Sequence, residues 1–291
     1  MASMTKSKVS YIGFIKRNRL PLNELEKYYC NRRLEKYESG KSIRGIFLRK
    51  IMHTPIIKCL KLYHHICVRK LRIIYDNSEK KKPAIYAATH IGWDDIEYIM
   101  DAISEHTYLF WGDPQELYRS FAGALLDLNG CVICDTKCKS DRFVAKETAI
   151  KLLMTGENLL IFPEGVWNIS ENKLVNYLFP GVAEMAIRTK ADIIPIAIER
   201  TKKGFDVAIG KNIHSLLYDM DDKWQLVQKI RDDMATLKWD VLEASGVHKR
   251  TEIPENYSEV FKNNILEDAR GIADWEGFKS QEFHPQNTIE D

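Results

Sequence analysis

The sequence predicts an α/β fold, a mixed and largely parallel central sheet flanked by helices, with an amphipathic pair of helices in front of it. Three observations predict it. Between Leu71 and Ile209, short apolar runs bounded by turn residues alternate with segments of helical apolar spacing, the signature of strands joined through helices. The chain has 291 residues, 45% of them hydrophobic, enough to bury a sizeable core as one large domain or as a domain with appendages. The net charge of +2 hides an asymmetry: Lys41 to Tyr75 holds many basic residues and no acid, whereas acids outnumber bases from Asp219 onward. The front of the chain is therefore suited to an anionic surface.

Tyr11 to Tyr37 is polar and charged, with Pro21 and Asn23 marking a turn before a helix over Glu24 to Tyr37. Ser42 is placed to cap a short helix with Ile43, Ile46 and Phe47 on one side. Thr54-Pro55 is placed to start another, since Thr caps well and Pro suits the first helical position. In that second helix Ile56, Leu60, Tyr63 and Cys67 follow one stripe, while Lys58, Lys61, His65 and Arg69 follow the opposite one. A helix of about 15 residues is about 22 Å long, too short for a hydrocarbon core of ~30 Å. No uninterrupted apolar run of about 18 residues occurs either, so any bilayer contact is expected to be peripheral. The basic stripe would supply attraction and the apolar stripe insertion; the alternative is an apolar stripe packed on the core and a solvated basic face.

Leu71 to Tyr75 reads as a strand, Glu79 to Lys82 as a charged turn, Ala84 to Ala88 as a buried strand and Trp93 to Ile103 as a helix. Tyr108 to Trp111 follows as strand, Pro114 to Leu128 as a helix capped by Asp113, and Cys131 to Asp135 as strand. Then come a helix over Asp141 to Met154 stopped by Gly156, the strand Leu159 to Phe162, and a helix over Val182 to Thr189. Ile193 to Glu199 and Phe205 to Ile209 complete the strands. From Asp219 to Ala244, Trp224, Val227, Ile230, Met234, Leu237 and Val241 recur at helical spacing and mark a long helix covering the sheet. Beyond Gly246 the chain is polar, with one short helix near Tyr257 to Leu266 and an acidic tail. Six cysteines without regular pairing, and no secretory leader, point to a reducing compartment. Cys131, Cys134 and Cys138 have C-x2-C-x3-C spacing but no evident fourth ligand nearby, so no metal is expected.

The chemistry concentrates in Ala84 to Ile99, A-I-Y-A-A-T-H-I-G-W-D-D-I-E-Y-I. On one continuous helix, residues five apart point about 140° away from each other, so His90 and Asp95 could not touch. Gly92 supplies a turn that removes the difficulty. With His90 in the turn and Asp95 in the first helical turn, the carboxylate can hold one imidazole nitrogen and leave the other free as a base. Asp95 is also favoured as an anion by the helix N-terminus. This is the base-plus-orienter half of a catalytic triad without a protein nucleophile, so a substrate hydroxyl would have to attack. By itself, H-x4-D more often marks a satisfied histidine at a strand end and a capping aspartate than a catalytic pair.

Leu159 to Gly165 reads L-L-I-F-P-E-G. H-x4-D, followed about seventy residues later by F-P-E-G and then by I-I-P-I at Ile193 to Ile196, resembles the glycerolipid acyltransferase family that includes PlsC-like 1-acylglycerol-3-phosphate acyltransferases. The likeness runs from roughly Arg72 to Gly210. It implies that His90 is a general base and Asp95 its partner, and that Pro163, Glu164 and Gly165 belong to the acceptor site. It also implies a fatty acyl thioester of coenzyme A or acyl carrier protein as co-substrate, a lyso-lipid acceptor, no cofactor or metal, and a helical N-terminal segment on the cytoplasmic face of a membrane. Backbone N–H groups near Gly165 or at the helix start are expected to hold the oxyanion. The chain then divides into a membrane-associating segment (1–70), an acyltransferase domain (71–246) and a polar tail (247–291). No nucleic-acid module is recognisable.

The sequence also departs from that family. F-P-E-G usually continues T-R, but Val166 and Trp167 follow here; an arginine after the preceding strand is replaced by Thr136, with Lys137 beside it; and a lysine before the later glycine is replaced by Phe179 and Pro180. These are the cations that would grip a phosphate, and Lys137, Lys139 and Arg142 are the candidates to compensate. An acceptor without that phosphate, such as an amino-lipid, is therefore one alternative. A lipid or thioester hydrolase without a G-x-S-x-G elbow is another, and a non-catalytic peripheral lipid-binding protein is the third.

Overall fold

Central strands can be buried along their whole length, because a parallel sheet covered on both faces has no solvated side. Ala84–Ala88 is buried at every position, as are Asn158–Ile161 and Gly204–Ile209. The computed structural model describes residues 20–246, apart from 44, 67–69, 93, 113–120, 169, 171–172 and 202–203, together with 255–260 and 263. In chain order the elements are α1 (Leu22–Glu38), α2 (Ile46–Ile66), β1 (Lys70–Asp76), β2 (Ala84–Ala88), α3 (Asp95–Ile103), β3 (Thr107–Gly112) and α4 (Phe121–Asn129). They continue with β4 (Cys131–Cys134), α5 (Lys139–Met154), β5 (Asn158–Ile161), α6 (Gly181–Thr189), β6 (Asp192–Thr201), β7 (Gly204–Ile209), a 3-10 turn (Ser215–Leu217) and α7 (Lys223–Ala244).

The seven strands lie in the order β1-β7-β6-β2-β5-β3-β4. Strands β2 to β6 run parallel, β7 returns antiparallel to β6, and β1 pairs parallel with β7. The sheet is therefore mixed and largely parallel, as predicted. Alternation along β2 sends Ile85 and Ala87 to one face, with Val182 of α6 and Leu226, Ile230 and Met234 of α7. Ala84, Tyr86 and Ala88 face the other side, with Ile96, Ile99 and Met100 of α3 and Ile57 of α2. The ends of β2 and β5 are thus gripped by helices on both faces, and the loops leaving them emerge side by side.

Three N-terminal expectations are corrected. The two helices placed at Ser42 and Thr54 are one 21-residue helix, α2, with Pro55 inside it. Pro55 removes the bond to the Ile51 carbonyl and crowds that carbonyl, but packing on both sides of that point keeps the helix running. Lys50 Nζ meets Glu157 at 2.6 Å and Lys61 Nζ meets Asp101 at 2.8 Å, while His53 is buried with Nδ1 2.8 Å from Asn129 Oδ1. Ser42 is not a cap: its hydroxyl has no hydrogen-bond partner among the described residues. The stripe beginning at Ile56 and Leu60 is not free to insert, because Ile56 is buried and Leu60 packs against the core. The exposed apolar face is instead Leu48, Ile51, Leu62 and Ile66, with Phe47 and Tyr63 at its margins. Of the basic stripe, Lys58 and His65 are exposed, and Arg69 lies outside the described residues, as does Cys67.

Helix α1 matches the helix predicted over Glu24 to Tyr37 and is fastened to the sheet edge. The Arg33 guanidinium holds Asp141 with two bonds of 2.8 and 2.7 Å, and Asp141 Oδ2 also accepts from the Asp135 N–H at 2.7 Å. The cap at Asp113 and the first part of the helix predicted from Pro114 lie outside the described residues, as does most of the tail. Among the described residues no helix is long and apolar enough to cross a membrane. No group of three or more His, Cys, Asp or Glu side chains there could hold a metal ion.

Candidate active site

β2 ends at Ala88, and the chain leaves through Thr89 and His90 before α3 begins at Asp95. The intervening turn does what the spacing requires. His90 Nδ1 lies 2.8 Å from Asp95 Oδ2, and the same oxygen accepts the Ile91 N–H at 2.7 Å and the Gly92 N–H at 3.2 Å. Asp95 is fully buried at the first residue of α3, where the helix N-terminus favours its charge. A carboxylate facing Nδ1 keeps the ring proton on that nitrogen, so the lone pair lies on Nε2. Nε2 has no protein partner among the described residues, and the ring remains partly exposed. It packs on Phe162 at a centroid distance of 4.3 Å and meets Trp167 edge-on at 6.0 Å.

The loop after β5 closes the other wall. Glu164 is completely buried, and both its oxygens are engaged: Oε1 accepts the His90 backbone N–H at 3.1 Å and Oε2 the Asn176 N–H at 2.8 Å. Burial pushes its carboxyl up to about 7, against the lowering by those two N–H donors. Glu164 thus faces backbone rather than open space, and clamps the His90 turn to the 166–180 loop. Asn168, which the sequence reading did not single out, continues the clamp. Its N–H donates to the His90 carbonyl at 2.7 Å, and its side-chain amide donates to the Lys173 carbonyl at 3.0 Å. Only a contact of high sequence separation reveals such a residue, so no local signal could have found it.

Gly165 turns the chain at φ +68°, and a Cβ there would fall 2.1 Å from Phe179 Cε2. Pro163 contributes its carbonyl to the Phe179 N–H at 2.8 Å. The expected oxyanion donors need correcting: the Gly165 N–H is taken by the Phe162 carbonyl at 3.0 Å, and those of Ile91 and Gly92 by Asp95. None of the three is free.

Residues 67–199, which contain His90, Asp95 and Pro163 to Gly165, match the family model described as Acyltransferase. That stretch of the chain is similar to the acyltransferase family. The fold of the chain is similar to the crystal structure of PlsC, a 1-acyl-sn-glycerophosphate (LPA) acyltransferase from Thermotoga maritima, with a TM-score of 0.55 and 16% identity over 79% of this chain and 95% of that one. No curated protein sequence matches the chain.

Lys137 and Arg142 share the sheet end with His90 but not its immediate surroundings. They follow β4, three strand positions from β2, a separation of roughly 14 Å at ~4.8 Å per strand. Arg142 is turned to the Thr136 carbonyl, and the Lys137 N–H is bound to Asp135 Oδ1 at 3.0 Å. Lys139 opens α5 on the same edge. Beside His90 itself the aromatic rings of Phe162 and Trp167 stand instead, with Phe179 over Gly165.

Proposed function

We propose that the protein transfers a fatty acyl group from an acyl thioester, of coenzyme A or acyl carrier protein, to a hydroxyl of a lyso-glycerolipid such as 1-acylglycerol-3-phosphate. The observation that carries this reading is the 2.8 Å contact between His90 Nδ1 and Asp95 Oδ2 inside the stretch that matches the family. His90 Nε2 accepts the acceptor hydroxyl proton as the oxygen attacks the thioester carbonyl. Asp95 stabilises the imidazolium that forms. When the tetrahedral intermediate collapses, the C–S bond breaks and the leaving thiolate takes the proton back from His90. The aromatic wall of Phe162 and Trp167 keeps water from the base and favours transfer over hydrolysis.

The lipid acceptor would be met at a membrane. Leu48, Ile51, Leu62 and Ile66 form an exposed ridge along α2, and such a face lies in the interface of a bilayer rather than across it. In this reading the protein rests on the cytoplasmic face, attracted by the basic residues of the same segment. Product analysis by mass spectrometry tests the chemistry: acyl-CoA or acyl carrier protein thioester is incubated with a lyso-lipid mixture. Acylated lipid is expected with the native chain and not with His90→Ala. Free fatty acid as the sole product would mean a hydrolase, and no product a lipid-binding protein.

A second reading concerns the acceptor. Trp167 is buried edge-on to His90 and Phe179 covers Gly165, at the positions where the resembling enzymes carry cations. This favours an acceptor without a phosphate beside the reacting hydroxyl, such as an amino-lipid. Strict preference for lysophosphatidate over phosphate-free lyso-lipids would end this second reading.

A further inference from the structure

At the junction of α1 and α2 an open surface concavity of about 340 Å³ is lined by Arg32, Glu35, Lys36, Ser39, Lys41, Ser42 and Arg49. Four of the seven are cations and one is an acid. Glu35 is already bound by Arg32 at 2.8 Å, and Arg49 is fixed by the Asp127 carbonyl at 2.6 Å. The other two cations are brought together by the turn itself, since the Lys41 N–H donates to the Lys36 carbonyl at 2.7 Å. Neither ammonium has an ion pair among the described residues, and the Ser42 hydroxyl beside them has no hydrogen-bond partner there. Both lysines are exposed, so their ammonium groups are open to an anion arriving from solution.

The cavity is not part of the acyl-transfer site. Arg49 lies over the ring of Tyr108, at the start of β3, whereas His90 follows the end of β2, which runs parallel to β3 through β5. Arg49 belongs to the same turn of α2 that exposes Phe47, Leu48 and Ile51. Cations in a concavity beside an apolar ridge match an anionic phospholipid, the phosphate held by the ammonium groups and the chains lying along the ridge.

We propose that the α1–α2 cavity is a binding site for the phosphate of an anionic phospholipid headgroup, separate from the substrate site, that fixes the protein on its membrane. This inference rests on the peripheral membrane reading above. The test is partitioning of the full chain onto phosphatidylcholine vesicles with and without phosphatidylglycerol, with acyl transfer in detergent micelles measured in parallel. The native chain should prefer the anionic vesicles, and Lys36→Gln/Lys41→Gln should lose about 30-fold of that partitioning, from the loss expected for two basic residues at such a surface. Its micellar activity should be unchanged. Lys80→Gln/Lys81→Gln, with the same change in net charge on the turn before β2, should partition like the native chain. Equal losses in both variants would mean diffuse attraction and overturn the site, as would no loss in the first. Displacement from vesicles by millimolar inorganic phosphate would indicate a small-anion site and overturn the lipid assignment. Binding to no vesicle at all would overturn both the site and the peripheral reading, while micellar activity reports on the acyltransferase chemistry independently.

Discussion

Replacing Glu164 by Gln separates a clamp from an acceptor-binding group. Each carboxylate oxygen takes one buried backbone N–H, from His90 and from Asn176. The amide of Gln has one oxygen, so one of those donors would face an NH₂ and go unsatisfied, at a cost of about 1–3 kcal/mol. For a chain of this size that corresponds to a fall in Tm of roughly 2–10 °C. Because the lost bond shifts the backbone of His90, kcat should fall with the stability while KM for the acceptor stays close to that of the native enzyme. Thermal unfolding and steady-state kinetics on the same preparation decide it. An unchanged Tm together with a raised acceptor KM would refute the clamp and return Glu164 to the acceptor site.

Four further outcomes are expected. His90→Ala should reduce acyl transfer by several orders of magnitude with the circular dichroism spectrum unchanged, and Asp95→Asn by somewhat less, because a neutral amide holds the ring but not the imidazolium. Gly165→Ala should destabilise by about 2–4 kcal/mol in urea unfolding, since the left-handed φ and the overlap with Phe179 add. Asp141→Ala removes the ion pair with Arg33 and the acceptor of the Asp135 N–H near the sheet edge and should cost about 3 kcal/mol, read from the urea midpoint. The pH dependence follows from Glu164: its folded-state value of about 7 lies above the ordinary carboxylate value of 4.5. The folded protein therefore holds more protons than the unfolded chain between those values. Its stabilising contribution is complete below pH 4.5 and is lost as pH rises through about 7, so the stability of the native chain relative to Glu164→Gln should fall across that window and stay constant outside it.

Much of the fold could be read directly. β2 and β5 announced themselves as unbroken apolar runs because strands covered on both faces need no polar alternation, and the turn at Gly92 was required for His90 and Asp95 to meet at all. The strand order was not legible. Nothing local says that β5 enters between β2 and β3, yet that insertion sets Glu164 beside His90. The same limit hid Asn168, whose bond to the His90 carbonyl spans the chain from one loop to another. Pro55 misled for a different reason. As a local signal it suits a helix start, but His53, Ile56 and Ile57 are buried on its two sides, and that burial outweighs one missing hydrogen bond. The apolar stripe failed with it, because periodicity reveals that a helix has two kinds of face without saying which of two greasy sides turns inward.

A helix keyed to its own domain along one side cannot roll about its axis when it lands on a bilayer. His53, Ile56 and Ile57 dictate which way Leu62 and Ile66 look, so in the peripheral reading proposed above the angle at which the whole enzyme would sit is decided before it meets any lipid. The height of the imidazole above the hydrocarbon would then be a constant of the fold, like the reach of a fixed crane. A glycerol backbone delivered at another depth would arrive at the wrong storey.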